Sequence, residues 1–383
     1  MVEKFVLNET SYFGKGARKE LAPEILKRGY KNVLVVSDKV LEEVGVLKYV
    51  LDVLDEAYIN YTVYTDVKPN PTIQNVMDGL EVCKKINADV IVACGGGSSM
   101  DTAKAIGILM TNPTRDIRSL NGLSNTINKS LPIIALPTTH GTAAEVTINY
   151  VITDEDAQVK MVCVDPNDIP VLAIIDSDLM KTMPKSTAAF TGMDALTHAV
   201  EGYITKGHNT MSDMFHLEAI KLIFEYLPDA VNLKDDYAIE MMGKAQYIAG
   251  MGFSNVGLGI VHSMAHQLGA VYDTPHGMAN TLLLPTVMEF NGEVCYERFR
   301  EILMYLGDKN AEVYSKQECI STFAEKIKDL ATTLGITQTV KDTGCKEEDF
   351  AMLAKKAMED PCMPGNPREV SEEIFIELFR KAM

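Results

Sequence analysis

Short runs rich in β-branched and aromatic residues recur through the first half of the chain, at positions 5–7, 33–37, 61–64, 90–94, 133–136 and 171–175. Between most of them lie stretches whose apolar positions follow helical spacing, such as 38–56 and 72–86. Strand and helix in alternation predict a mostly parallel sheet covered by helices. One interruption is expected, because 146–153 and 160–164 flank Asp154-Glu155-Asp156-Ala157 and read as an inserted β-hairpin. After Met183-Pro184-Lys185-Ser186 the pattern changes. Leu, Met and Ala at helical periodicity dominate to the end, and β-branched runs nearly vanish. The expected organisation is an α/β N-terminal domain over residues 1–183 and an all-helical C-terminal domain over residues 184–383, with the boundary between Asp176 and Ser186. A ligand is expected in a cleft between two such domains.

Composition narrows the partners. The 383 residues are 46% apolar and 23% charged, ordinary values for a globular protein. A formal charge of -17 argues against nucleic acid or an anionic membrane surface. No basic segment followed by an apolar one opens the chain, and no apolar run reaches about 18 residues, so neither a signal peptide nor a membrane span is expected. The seven cysteines are scattered without a CxxC pair and read as reduced thiols of a cytoplasmic protein.

In the first half, the apolar run ending at Cys94 leads into Gly95-Gly96-Gly97-Ser98-Ser99-Met100-Asp101. Three glycines let backbone N–H groups approach a pyrophosphate, and a helix N-terminus adds positive partial charge. A tight strand-to-helix turn with good caps would use the same residues. The usual GxGxxG fingerprint is absent, and the strand-end acid Asp38 precedes the glycine loop instead of following it. A carboxylate there suits the ribose hydroxyls of an adenosine and repels a 2′-phosphate, although an acid in that place also caps a helix. A second polar turn, Pro137-Thr138-Thr139-His140-Gly141-Thr142, follows another apolar strand and supplies hydroxyls for phosphate or ribose. Two such loops at strand ends point to a dinucleotide.

In the second half, three of the seven histidines fall within residues 249–280. His262 and His266 are four apart and share one helical face; His276 follows in the turn Thr274-Pro275-His276-Gly277. Asp194 and His198 repeat the four-residue spacing. A carboxylate with imidazoles and no cysteine suits Fe(II), Zn(II), Ni(II) or Mn(II). Such an ion acts as a Lewis acid on a substrate oxygen, and one of the histidines can instead relay a proton. His208 and His216 each read as an ordinary lone core or surface histidine.

The motifs Gly95-Gly-Gly-Ser-Ser-Met-Asp101, Pro137-Thr-Thr-x-Gly-Thr142, Gly192-Met-Asp-Ala-Leu-Thr-His198 and His262-x3-His266-x9-His276-Gly277 resemble those of the iron-containing (group III) alcohol dehydrogenases, in order, from about Phe13 to the C-terminus. Four further segments, 145–154, 162–170, 250–259 and 365–369, make the chain most similar to the branch that interconverts lactaldehyde and propane-1,2-diol, ahead of the butanol and 1,3-propanediol dehydrogenases. The resemblance implies a dehydroquinate-synthase-like two-domain fold, Fe(II) with Zn(II) possible in the isolated protein, NAD, and a homodimer contacting through its N-terminal segment. It implies Asp194, His198, His262 and His276 as metal ligands and His266 as proton relay. Asp38, Asn70, Gly95, Gly96, Gly97, Ser98, Asp101, Thr138, Thr139, Thr142 and Lys160 would line the cofactor; Asn149, Val151, Phe253 and Cys362 would wall a pocket for a short aldehyde or alcohol. His140 departs from the pattern, standing where relatives commonly have a small residue. A zinc-dependent glycerol-type dehydrogenase and an enzyme acting on a phosphorylated substrate are the rival readings within the superfamily; a phosphate substrate would call for a basic cluster beside the histidines, where the sequence has none. A protein that kept the fold without the reaction would be expected to have lost one of these groups.

Overall fold

The computed structural model describes residues 2–157 and 159–383. The chain divides into two compact units, Met1–Met183 and Pro184–Met383. No helix among the described residues is long and apolar enough to cross a membrane.

The first unit contains strands β1 (Thr10–Phe13), β2 (Val33–Val36), β3 (Tyr61–Tyr64), β4 (Val90–Gly95), β5 (Gly122–Leu123), β6 (Ile133–Pro137), β7 (Asn149–Asp154), β8 (Val159–Val164) and β9 (Leu172–Ile175). Helices α1 (Leu21–Arg28), α2 (Lys39–Glu43), α3 (Val46–Glu56), α4 (Ile73–Lys85) and α5 (Gly97–Thr111) connect them. Six strands form a parallel sheet in the order β1-β9-β6-β4-β2-β3. Alternate side chains serve opposite faces, as the two-residue period requires. Leu34, Val36, Ile91, Ala93 and Ile133 pack with Val76, Leu80, Ala103 and Ile106 of α4 and α5. Val33, Val35, Val90, Val92 and Ile134 pack with Leu21, Ile25, Val46 and Val50 of α1 and α3. Both faces are dry, which is why β2, β4, β6 and β9 are wholly buried and read as unbroken apolar runs.

The chain steps outward from β2 to β3 and then returns to place β4 on the other side of β2. The carboxyl ends of β2 and β4 therefore flank the point where the strand order reverses, the usual place for a ligand in an open α/β sheet. Asp38 follows β2, and the glycine loop closes β4.

Three local expectations need correction. Residues 5–7 are not a strand; the pairing segment is β1, in register Thr10↔Leu172 through Phe13↔Ile175. A three-residue apolar run carries little register information, and the chain ahead of β1 is tied by the Asn8 amide to the carbonyls of Glu145 (2.8 Å) and Pro170 (2.7 Å). The single helix expected over 38–56 is two, α2 and α3, parted at Gly45, whose φ of 81° no β-carbon-bearing residue adopts cheaply. The hairpin is present, with β7 and β8 antiparallel, but it starts at Asn149 and belongs to a separate three-stranded sheet completed by β5.

The second unit is helical throughout its described elements: α6 (Lys185–Ile204), α7 (Thr210–Asn232), α8 (Asp236–Val256), α9 (Ile260–Tyr272), α10 (His276–Tyr305), α11 (Lys316–Thr333), α12 (Phe350–Met358) and α13 (Glu372–Ala382). Helix α6 is buried from Gly192 to Ile204, polar residues included, which marks it as the central helix of the unit. Close packing against it depends on small residues. A β-carbon at Gly192 would meet Leu227, and one at either Gly202 or Gly252 would strike the His216 ring. The result is an α/β unit followed by an all-α unit.

Candidate functional site

In the second unit, Asp194 and His198 lie one turn apart on α6, His262 and His266 one turn apart on α9, and His276 opens α10. The ligand atoms of Asp194, His198, His262 and His276 all lie within 4.8 Å of one another. From Asp194 Oδ1, the Nε2 atoms of His276, His262 and His198 are 3.6, 3.9 and 4.0 Å away. Ion–ligand arms of about 2.1 Å set tetrahedral edges of about 3.4 Å, so this donor set needs only slight closure to hold a divalent cation. Four converging lone pairs, three of them on buried residues, repel one another unless a positive charge or a hydrogen-bond donor lies among them. The residues fit a metal ion.

The set is held from behind by residues that sequence reasoning missed. Glu201, buried on α6, accepts backbone N–H bonds from Val261 (2.7 Å) and His262 (3.4 Å) at the start of α9. Its Oε2 lies 2.6 Å from His262 Nδ1. With the carboxylate in the accepting role, Nδ1 carries the proton and Nε2 keeps its lone pair for the cluster. Burial pushes Glu201 up to about 7, against the backbone donors that favour its charge. The approach requires Gly259, since a β-carbon there would sit 2.8 Å from Glu201 Oε1. That accounts for part of the glycine-rich stretch before His262. Asn280 is fully buried one turn after His276 and donates to Asp194 Oδ1 at 2.7 Å, with His262 Nε2 and His276 Nε2 each 3.2 Å away. Glu201 follows Asp194 by seven residues and His198 by three, and Asn280 follows His276 by four. Helical spacing therefore carried a signal for both.

His266 stands beside this cluster, its ring stacked on His276 with centroids 5.4 Å apart. Its Nδ1 meets Asp360 Oδ2 at 2.8 Å, and Asp360 also accepts the Cys362 N–H at 2.9 Å. Burial alone would raise the Asp360 carboxyl, but the His266 charge and hydrogen bond outweigh it and hold it below its ordinary value. No spacing pattern pointed to Asp360. Phe253 is buried and stacks on His198 at 4.2 Å between centroids, while burial and the nearby acids push the Cys362 thiol well above its usual range. His208 pairs with Asp213 at 3.3 Å near the surface; His216 is fully buried.

In the first unit, the glycine loop abuts the second polar loop. Gly95 pairs with Pro137 in the sheet, and Thr138 N–H donates to the Gly95 carbonyl at 3.0 Å. A β-carbon at Gly96 would lie 3.3 Å from Thr139 Cγ2, and one at Gly97 would lie 3.0 Å from Thr142 Cγ2. Ser98 lies in the first turn of α5, whose N-cap is Gly96. Asp38 caps α2, accepting from Leu41 N–H at 3.0 Å through one oxygen. Asn70 and Lys160, ninety residues apart, meet at 2.9 Å between Oδ1 and Nζ. Asp101 accepts the Val151 N–H at 3.1 Å, and burial pushes its carboxyl up to about 7. Asn149 begins β7 and offers its carbonyl to Lys104. His140 is buried within its loop, which pushes its ring down to about 4 and keeps it neutral.

The family profile "Iron-containing alcohol dehydrogenase" matches residues 8–177, and "Fe-containing alcohol dehydrogenase family, C-terminal" matches residues 188–383. The chain is 49% identical to lactaldehyde reductase of Escherichia coli (strain K12) over 383 residues, covering 100% of both proteins. The crystal structure of a 1,3-propanediol oxidoreductase superposes with a TM-score of 0.96 at 38% identity, covering 100% of both chains. Sulfoacetaldehyde reductase from Bifidobacterium kashiwanohense, solved in complex with NAD+, gives a TM-score of 0.88 at 30% identity, covering 100% of this chain and 99% of that one.

Proposed function

The chain belongs to the iron-containing alcohol dehydrogenase family and is an oxidoreductase of alcohols and aldehydes; from that premise we propose that it interconverts lactaldehyde and propane-1,2-diol using Fe(II) and NAD(H). The observation that carries the reading is the largely buried cluster of one carboxylate and three imidazoles, with Glu201 and Asn280 orienting it. Asp194, His198, His262 and His276 hold the ion. Once bound, the ion would supply Lewis acidity toward a substrate oxygen, and a nicotinamide would supply hydride exchange.

The chain's own residues do the rest. His266, its Nδ1 occupied by Asp360, presents Nε2 as the proton relay for the hydroxyl that forms or is lost. Within the second unit, Phe253 and Cys362 wall the substrate. Residues 1–183 bind the dinucleotide and residues 184–383 the metal. Asp38 takes the adenosine ribose, Gly95, Gly96, Gly97 and Ser98 cradle the phosphates at the α5 N-terminus, and Asp101, Thr138, Thr139 and Thr142 line the cofactor beside them. Asn70 and Lys160, already joined, line the same cofactor. The NAD+ in the sulfoacetaldehyde reductase structure supports the choice of dinucleotide. The exposed Phe13 on edge strand β1 supports a homodimer, and seven free cysteines support a cytoplasmic home.

The test is anaerobic purification, a chelator strip, and NADH oxidation with lactaldehyde, glycolaldehyde, propionaldehyde and butyraldehyde, each with Fe(II), Zn(II) or no added metal. Activity restored by Fe(II) and highest on the 2-hydroxyaldehydes is the expected result. Preference for butyraldehyde would keep the mechanism and move the substrate to simple alcohols. No rate with any metal would sink the reading.

A further inference from the structure

Helix α5 starts at the glycine loop and carries Asp101 and Lys104 three residues apart, on neighbouring points of one face. Lys104 is completely buried. Its Nζ donates to the Thr147 carbonyl at 2.6 Å, to Thr147 Oγ1 at 3.0 Å and to the Asn149 carbonyl at 2.9 Å. All three acceptors belong to the segment that enters β7. Asp168, equally buried, brings Oδ1 to 3.8 Å from the same nitrogen, and neither of its oxygens has a hydrogen-bond partner. One turn earlier, Asp101 accepts the Val151 N–H from β7 itself. Two side chains of the glycine-loop helix thus fasten one strand of the hairpin.

An ammonium taken out of water is costly, and an apolar side chain of the same length would fill the space without that cost. What an apolar side chain cannot do is choose a register. Three directed donors select two particular carbonyls and so set where β7 stands along α5. The consequences run through the hairpin. Strand β7 pairs Thr153 with Lys160 on β8, and Lys160 Nζ donates to Asn70 Oδ1. Thr153 N–H also donates to the Pro71 carbonyl at 2.8 Å, beside Asn70. The Lys104 fastening is thereby linked to the positions of Asn149, Val151, Lys160 and Asn70, alongside the Asp101–Val151 and Thr153–Pro71 bonds.

We propose that Lys104, seated against Asp168, is a positioning residue that sets the β7–β8 hairpin against the glycine loop, so that the two sides of the dinucleotide site are presented in a single register. Lys104 is fully buried, with its Nζ on Thr147 and Asn149, and it acts through Asn149, Lys160 and Asn70. The inference rests on the NAD reading above.

The test compares the full-length wild type with Lys104→Met, Lys104→Arg and the double variant Lys104→Met/Asp168→Leu. The double variant removes the buried acid that the single one leaves without its cation, and serves as the folding-safe form. Unfolding midpoint, NADH affinity by calorimetry, and KM for NADH against kcat are read for each. Lys104→Met is expected to lose both stability and about tenfold in NADH affinity. The double variant should regain the midpoint while NADH affinity stays low, with KM for NADH raised more than kcat is lowered. Lys104→Arg, which keeps the charge but misplaces the donors, should bind NADH more weakly than wild type. Wild-type NADH affinity in the folded double variant would overturn the proposal, because Lys104 would then only balance a buried charge. Failure of the wild type itself to bind NADH would overturn the cofactor reading, and this inference with it.

Discussion

His266 and Asp360 are ninety-four residues apart in the chain and meet at 2.8 Å, ring Nδ1 against carboxylate Oδ2, both buried. The acid fixes which ring nitrogen carries the proton and leaves Nε2 as the exchangeable one. Asp360→Asn should therefore retain metal while turnover slows by roughly tenfold to a hundredfold. Metal analysis beside kcat checks this; an unchanged kcat would remove His266 orientation from the mechanism.

The roles of the neighbouring histidines separate in the same way. His276→Ala is expected to lose metal and activity together, and His266→Ala to keep metal but turn over slowly. Equal metal content and rate in wild type and His276→Ala would contradict its place among the ligands.

Glu201 acts on the cluster through His262 and the start of α9. Glu201→Gln keeps the volume but weakens the acceptor of the Nδ1 proton, so metal affinity should fall by about tenfold to a hundredfold. Competition against a chromophoric chelator measures it, without reference to turnover.

Asp38 has one oxygen engaged in capping α2. If the carboxylate also excludes a 2′-phosphate, Asp38→Gly should raise kcat/KM with NADPH relative to NADH. A variant that discriminates against NADPH as strongly as wild type does would end the ribose role.

His216 offers a test of stability against pH. Its ring is fully buried, neither nitrogen has a hydrogen-bond partner, and burial pushes it down to about 3 from 6.5. Between those values the unfolded chain binds a proton that the folded one does not, so stability rises with pH over that window. It is complete above about 6.5 and is lost as pH falls toward 3, by an amount on the order of 5 kcal/mol. His216→Leu should flatten that component of the pH dependence of unfolding and cost little at neutral pH. A slope unchanged in the variant would refute the assignment.

Much of this protein is legible in its sequence because the relevant signals are local. Unbroken apolar runs at 33–37, 90–94 and 133–136 announce strands buried on both faces, and the change of texture after Met183 announces a different class of packing. The four-residue spacings of Asp194 with His198 and of His262 with His266 place donors on shared helical faces before any helix is seen. Weak signals misled where partners decide. Residues 5–7 are more apolar than Thr10–Phe13, yet the latter pair with β9, because the edge ladder is chosen by hydrogen bonding to a strand some 160 residues later.

What the sequence by itself determined was the class of each half, the loops at strand ends, and the kinds of donor atoms on helical faces, since each depends on residues within a turn or a strand of one another. What only the tertiary structure decided was which distant groups face each other: Glu201 on His262, Asp360 on His266, Asp168 on Lys104, Lys160 on Asn70. Those pairings arise where separately formed elements pack, and a buried charge or ring nitrogen takes whatever partner that packing brings within reach. No spacing along the chain records it.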